Sequence, residues 1–377
     1  MKTMLRKRLV LKEPYYSIFR VIGFILLIII GLFIYYRYEM NSLLELNYSE
    51  KASKNILFSF KKKEVVAIGE NKTLNAAFES DLYNEKYFDR YSRIEYQNQD
   101  NLIRNINTLI KKKYTNSEIS IILSHGNDSD VTEFSKRDKV RYVEEFFTYD
   151  FAKLSLYDRY VNYSNVTGDD EETTVIYVNL DMDKTPYEEA TEVKDFSINM
   201  LVNKHFKLDE NFVPKDLVKV NKKYTDEEDV KLNQETYNAF IELYNAASNE
   251  GLGLVINSAY RSYQDQVEIN EFYLKNYGQN YIDKFVAKPG FSEHQTGLCF
   301  DVGSTTSNVF ANSKEYPWML ENAYKYGFIQ RFPSEYEDIT GFRSESWHFR
   351  YVGKKAAKEI HDNDMSYEEY YARFLMK

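Results

Sequence analysis

SEHQTGLCFDVG (292–303), answered later by ESWHFRYVG (345–353), decides how the second half of this chain folds. GLCFDVG and WHFRYVG both read as strands, aromatic or β-branched through their middles. His294 and Asp301 lie seven positions apart, which suits a loop exit and the strand that follows it. His348 returns from a distant strand to complete a tripod. Two imidazoles and one carboxylate form the donor set of a catalytic zinc ion. Structural zinc sites are usually closed by four protein ligands, whereas three N/O donors leave a position open for chemistry. Glu345, three residues before His348, is the candidate base. Strand alternation puts the single cysteine, Cys299, on the same face as Asp301.

Around these two segments the chain from residue 195 to 377 alternates helices and strands with clear punctuation. LNQETYNAFIELYNAASNEG (232–251) predicts a helix capped by Asn233 and stopped at Gly251, with Tyr237, Phe240, Ile241, Tyr244 and Ala247 on its inner face. LGLVINSAY (252–260) predicts a strand that delivers Ser258 and Arg261 to its C-terminal end. A helix from Ser262, with Asp265 as its third residue, runs to Gly278. Pro317 opens another helix that Gly327 closes, and GKKAAKEIHD (353–362) predicts a terminal helix. The helices between strands are irregular in length and no glycine-rich phosphate loop follows a strand. The expected class is therefore α+β, a small antiparallel sheet with surrounding helices.

The N-terminus carries a second signal. VIGFILLIIIGLFIYY (21–36) has no charge, and Ile18, Phe19 and the flanking tyrosines Tyr15, Tyr16, Tyr35 and Tyr36 extend it to the length a bilayer needs. Lys2, Arg6, Lys7, Arg8, Lys12 and Arg20 precede or enter the run against only Glu13. The expectation is a cytoplasmic tail over 1–17 and a transmembrane anchor over 18–38, with the remainder outside the cell. No small-x-small cleavage site follows, only Tyr-Tyr-Arg-Tyr-Glu, which favours an uncleaved anchor. Residues 41–190 are rich in Asn, Lys, Tyr and acidic residues and nearly free of Pro and Gly, so a mainly helical spacer domain is expected. Within it YFDRYSRI (87–94) is echoed by LYDRYVNY (156–163), a sign of a duplicated helical unit.

Composition closes off other classes. With 377 residues, 43% hydrophobic and 16% aromatic, the chain has material for two folded domains. Its net charge of -9, with Lys and Arg scattered, gives no basic stripe for nucleic acid. One cysteine excludes an intrachain disulfide.

SAYRSYQDQ (258–266), SEHQTGLCFDVG and ESWHFRYVG, in this order and spacing, resemble the three signature segments of the VanY-type D-alanyl-D-alanine carboxypeptidases. These are zinc peptidases that trim peptidoglycan stem peptides. VIYVNLDMDKTPY (175–187) and LVNKHFKLDENFVPKDLV (201–218) resemble the lead-in of Gram-positive members. The resemblance covers roughly residues 155–377. It implies Zn2+ on His294, Asp301 and His348, catalysis by Glu345, and Arg261 in substrate anchoring or transition-state stabilisation. It further implies a pocket that includes Ser258, Tyr260, Gln266, Ser292 and Trp347. The implied substrate is the terminal D-alanyl-D-alanine bond of stem peptides, met at the cell membrane in wall remodelling or glycopeptide resistance. Two departures stand out: Cys299 replaces a small residue such as alanine, and Ser346 replaces a common proline. Two other functions compete. One is an L,D-carboxypeptidase or endopeptidase on the same peptides. The other is a non-catalytic wall-binding scaffold, against which the intact Glu345 argues.

Overall fold

The structure is a computed structural model that describes residues 13–376. Lys2, Arg6, Lys7, Arg8 and Lys12, on which the expected orientation leans, lie outside the described residues, as do the side chains of Glu13, Tyr15 and Tyr16. The chain forms two compact units, Met1–Glu144 and Glu145–Lys377.

The first unit is helical. Helix α1 (Glu13–Leu44) is continuous for 32 residues, and its segment Ser17–Leu44 is long and apolar enough to cross a membrane. Ile18 to Tyr38 stay largely exposed, while Met40 and Leu43 on the same helix are buried. Then come α2 (Glu50–Phe58), α3 (Lys62–Ile68), α4 (Lys72–Glu79), α5 (Phe88–Tyr91), α6 (Leu102–Lys111), α7 (Asn116–Ser124) and α8 (Asp128–Lys136). Polar side chains start these helices: Ser49, Asn71, Thr115 and Asn127 each accept a backbone N–H of the first turn. Helix α9 (Val143–Phe146) falls at the boundary.

The second unit begins with α10 (Tyr157–Thr167) and α11 (Glu171–Asn179). The expected spacer over 41–190 therefore differs from the compact units, which divide at Glu144. The reason is local packing. Arg373, near the C-terminus, pairs with Glu172 at 2.5 Å and lies 5.5 Å over the Phe151 ring. Asp181 accepts a hydrogen bond from Thr191 at 2.6 Å.

The Asp-Arg-Tyr echo marks a repeated structure. Tyr48 and Tyr114 are both buried, each preceded by a left-handed residue (Asn47, φ 61; Lys113, φ 68) and followed by a helix cap, Ser49 or Thr115. Further on, a 3-10 turn leads into each Asp-Arg-Tyr helix, α5 and α10. The Tyr91 hydroxyl donates to Asn107 Oδ1 (2.5 Å), whose amide donates to the Leu82 carbonyl (2.8 Å). In the second copy Tyr160 donates to Asn179 Oδ1 (2.7 Å), whose amide donates to the Phe151 carbonyl (2.9 Å). The same tyrosine-to-amide-to-carbonyl relay thus recurs at both Asp-Arg-Tyr helices.

Two small pairs follow: β1 (Thr191–Glu192) beside β2 (Phe206–Lys207), and β3 (Leu217–Lys219) beside β4 (Lys231–Asn233). The main sheet has β5 (Leu254–Ser258), β6 (Cys299–Ser304), β7 (Phe328–Phe332) and β8 (Glu345–Tyr351), in the order β5-β6-β8-β7 with every pairing antiparallel. The expected α+β class with a small antiparallel sheet is what forms. Helix α12 (Gln234–Asn249), capped by Asn233, covers one face. It buries Phe240, Leu243 and Ala247 against Ile256, Phe300, Val302 and Phe349. Its inner face is centred on Thr236, Ala239, Phe240 and Leu243, so Tyr237, Ile241 and Tyr244 sit at the margin instead. The Tyr237 hydroxyl explains its displacement: it accepts the Asn221 N–H at 3.1 Å, at the exposed edge. Helices α13 (Tyr263–Tyr277) and α14 (Gln279–Phe285) form a hairpin; α13 opens with the reciprocal Ser262/Asp265 capping box. Helix α15 (Glu315–Asn322) starts two residues before Pro317. The short α16 (Glu337–Thr340), α17 (Lys354–Asp362) and α18 (Tyr367–Tyr370) complete the unit.

Phe240 is fully buried, and its ring meets Phe300 edge-on at a 5.0 Å centroid distance. Phe240→Ala should therefore cost about 3–5 kcal/mol of stability, read as a lowered midpoint in urea unfolding.

Candidate active site

Sheet register assembles the centre. In β6 the side chains alternate, with Phe300 and Val302 on the dry face under α12 and Cys299 and Asp301 on the other. In β8, Phe349 joins the core while His348 and Arg350 face the opposite way. Asp301 pairs directly with His348 across the two strands. His294 arrives from a short 3-10 turn, Glu293–Thr296, whose cap Ser292 accepts the His294 N–H at 3.3 Å. Gly297 ends that turn at φ 67, where a Cβ would lie 2.8 Å from the Leu217 side chain, so glycine is needed there.

The two imidazoles lie edge to face with ring centroids 4.9 Å apart. His294 Nδ1 is 2.6 Å from the Ala259 carbonyl, an acceptor only, so this nitrogen carries the proton. Nε2 is then a lone pair, and it faces Asp301 Oδ1 at 3.4 Å. His348 is arranged the other way round. Its Nε2 is 3.3 Å from Glu293 Oε2, while Nδ1 faces Asp301 Oδ1 at 3.2 Å and Glu345 Oε2 at 3.6 Å. Lone pairs converging on a carboxylate need a cation or protons between them. A tetrahedral ion with bonds of about 2.0–2.1 Å has ligand-to-ligand edges of about 3.3–3.4 Å. The separations at Asp301 match that edge, so the donors fit a divalent metal.

Glu293 was not singled out by sequence reasoning. It is 3% exposed yet charged, because Arg331 Nε and Arg350 Nη1 both donate to its Oε1, at 2.8 and 3.1 Å. Burial opposes its ionisation, but the two guanidinium groups hold the carboxyl well below the usual range. Arg331 in turn makes a two-pronged contact with Glu368 at 2.8 and 2.5 Å, and Arg350 donates to the carbonyls of Ile198 and Met200, both at 2.9 Å. The result is a balanced buried quartet whose one outward-facing oxygen fixes the His348 ring. The usable signal was a carboxylate adjoining a ligand-type histidine, with Arg350 alternating with His348 in one strand.

Glu345 faces the same space, and burial pushes its carboxyl above the ordinary value. A cavity of about 240 Å³ opens in front of these groups. Arg261, Gln266, Ser292 and Trp347 all line it, with Trp347 43% exposed at the rim. Arg261 Nε and Gln266 Oε1 are buried without hydrogen-bond partners among the described residues. The Gln266 amide is anchored on the Ala287 carbonyl at 2.8 Å. Ser258 and Tyr260 are not among the lining residues. Beyond β5 the Ala259 carbonyl faces His294 Nδ1 and the Arg261 N–H donates to the His294 carbonyl at 3.2 Å, whereas the Tyr260 N–H donates to the Lys231 carbonyl at 2.9 Å. An aromatic wall from the α13–α14 hairpin, including Tyr273, Tyr281 and Phe285, was missed, although its four-residue spacing was visible.

Cys299 is buried, and its sulfur lies within 4.8 Å of nitrogens of both His294 and His348. Despite burial, the two imidazoles draw the thiol down to about 7. His205 is held near Asp181, and His361 stacks on Tyr324 at 3.7 Å; neither is near the centre.

Residues that fix a ligand histidine typically change metal affinity about 10–100-fold. Glu293→Gln should weaken metal binding by about that factor in a chelator competition, with helix content by circular dichroism unchanged.

Residues 229–354 match the VanY family, described as D-alanyl-D-alanine carboxypeptidase. YodJ of Bacillus subtilis, provisionally named a carboxypeptidase, is 43% identical over 187 residues, 47% of this chain and 68% of that protein. The bifunctional D-Ala-D-Ala dipeptidase and carboxypeptidase VanXYC of Enterococcus gallinarum is 34% identical over 178 residues, 45% of this chain and 92% of its own length. Among solved structures, a vancomycin-resistance D,D-pentapeptidase VanY in complex with Zn(II) is 30% identical, covering 47% of this chain and 99% of that one, with a TM-score of 0.40.

Proposed function

The chain belongs to the VanY family of D-alanyl-D-alanine carboxypeptidases, and we propose that it is a zinc carboxypeptidase of peptidoglycan stem peptides, removing the terminal D-alanine. Helix α1 would hold it at the membrane, with the remainder on the outer side. The observation that carries this reading is the trio His294, Asp301 and His348. Their lone pairs converge at metal-site spacing on a cavity that also holds a spare carboxylate and Arg261, whose Nε has no hydrogen-bond partner among the described residues.

His294 Nε2, Asp301 Oδ1 and His348 Nδ1 would hold the ion; two imidazoles and a carboxylate suit zinc best. When bound, it supplies a Lewis acid that acidifies water and polarises an amide carbonyl. The chain's own groups do the rest. Glu345 takes the proton from the attacking water and returns it to the leaving amine nitrogen. Its raised proton affinity serves both halves of that transfer. Arg261, with an unpaired Nε on the cavity wall, suits the free carboxylate that distinguishes a peptide terminus. The unpaired Gln266 Oε1 can accept a peptide N–H, and Trp347 at the rim covers apolar parts of the substrate.

The purified full chain, incubated with pentapeptide muropeptides, should release free D-alanine and leave each muropeptide lighter by roughly 71 mass units, one alanine residue, because hydrolysis adds water across the broken bond; mass spectrometry reads the shift. A chelator should stop the release and zinc restore it. No release, or release indifferent to the chelator, overturns the reading; cleavage only of tetrapeptides would move the bond specificity to the L,D type. Glu345→Gln should retain metal yet lower kcat by about 10²–10⁴-fold. Arg261→Ala should act chiefly on kcat/KM, about 1.5–3 kcal/mol for a lost charge-assisted contact.

A further inference from the structure

The corner between α2 and α3 is unlike the rest of the first unit. Phe58 is 66% exposed, Phe60 is 89% exposed and Val66 is 45% exposed. Phe60 also sits at φ 60, a left-handed conformation that a bulky residue adopts only at a cost. Three lysines, Lys61, Lys62 and Lys63, follow directly. An aromatic ring presented outward on a strained turn is unfavourable in water, since it leaves apolar surface wet.

The position of this corner explains it. Lys62 forms an ion pair with Glu39 of α1, and its ammonium lies 5.9 Å over the Tyr38 ring. A cavity of about 630 Å³ between α1 and the corner is lined by Tyr35, Tyr36, Leu57, Phe60, Lys63 and Val66, with the Glu39–Lys62 pair beside it. The uncharged run of α1 ends at Tyr36 and the first charge after it is Arg37. The corner is therefore pinned at the level where α1 would leave the hydrocarbon, the depth favoured by aromatic rings and by lysines reaching for phosphates.

We infer that the α2–α3 corner is a second membrane contact: Phe58, Phe60 and Val66 enter the acyl-headgroup boundary of the leaflet that α1 exits, and Lys63, the exposed member of the lysine triplet, meets lipid phosphates. The inference rests on α1 being a membrane anchor. The occupant is lipid because the patch is continuous with the apolar surface of α1, and because the exposed Lys63 borders it while Lys61 and Lys62 are engaged by Glu64 and Glu39. One helix alone leaves a domain free to swivel, whereas a second contact beside it fixes the first unit against the surface.

The test uses the full chain with Cys299→Ala, reconstituted in phosphatidylglycerol and phosphatidylcholine vesicles. A single spin label is placed in turn at Ile28→Cys in α1, at Phe60→Cys, and at Leu82→Cys, an exposed position of the same unit. Collision with oxygen and with a water-soluble nickel chelate reports depth. Phe60 is 89% exposed, so its replacement disturbs little packing, and Phe58→Cys repeats the reading at a second position. The expected result is a label in hydrocarbon at Ile28, shallow burial in lipid at Phe60 and full nickel access at Leu82. If Ile28 is in lipid but Phe60 is as open to nickel as Leu82, the corner contact is wrong while the anchor stands. If Ile28 is itself open to nickel, the anchor reading fails and takes this inference with it. Exclusion of both reagents from Phe60 would mean a protein partner or a second copy covers the corner, which also overturns the inference.

Discussion

The direct pairing of Asp301 with His348 across two antiparallel strands is the constraint on which the centre depends. A slip of one residue would turn both donors to the other face of the sheet. The opposite face prevents it. Phe300 pairs with Phe349 in the same register, and both rings are fully buried beneath α12. The hydrophobic core thus sets the position of the polar site, because alternation ties each donor to an apolar neighbour.

Support from behind comes from Glu293, Arg331, Arg350 and Glu368. Buried ions are costly unless each is paired and hydrogen-bonded, and here two positive groups meet two negative ones with short contacts on every side. Such an arrangement fixes geometry more than it adds stability. Glu293 cannot move without breaking its bonds to both Arg331 and Arg350, so the imidazole it faces is held as well. His294 has a simpler brace, one backbone carbonyl from the segment after β5.

Much of this was legible beforehand, for reasons that lie in local chemistry. Ser262 with Asp265, and Asn233 before α12, announce helices through caps that work within a few residues. The β6 and β8 strands show in their apolar patterns, and the family resemblance drew attention to the donors they carry. What was missed depends on partners far away in the chain. The role of Glu293 depends on Arg331 and Arg350, one in β7, a strand whose five residues were not anticipated. The grouping of residues 145–190 with the C-terminal unit depends on Arg373 reaching Glu172. Ser258 and Tyr260 came from the family resemblance, but of residues 258–261 only Arg261 lines the cavity, because the strand ends at Ser258 and the chain turns beyond it.

The spacing of donors around Asp301 makes one claim above the others: a single divalent ion belongs between these three side chains. Anomalous scattering at the zinc edge, from crystals of the zinc-loaded protein, addresses it directly. The account predicts one peak per chain, about 2.0–2.2 Å from His294 Nε2, Asp301 Oδ1 and His348 Nδ1. A zinc-loaded crystal with no peak among those atoms, or with its peak elsewhere, would contradict it.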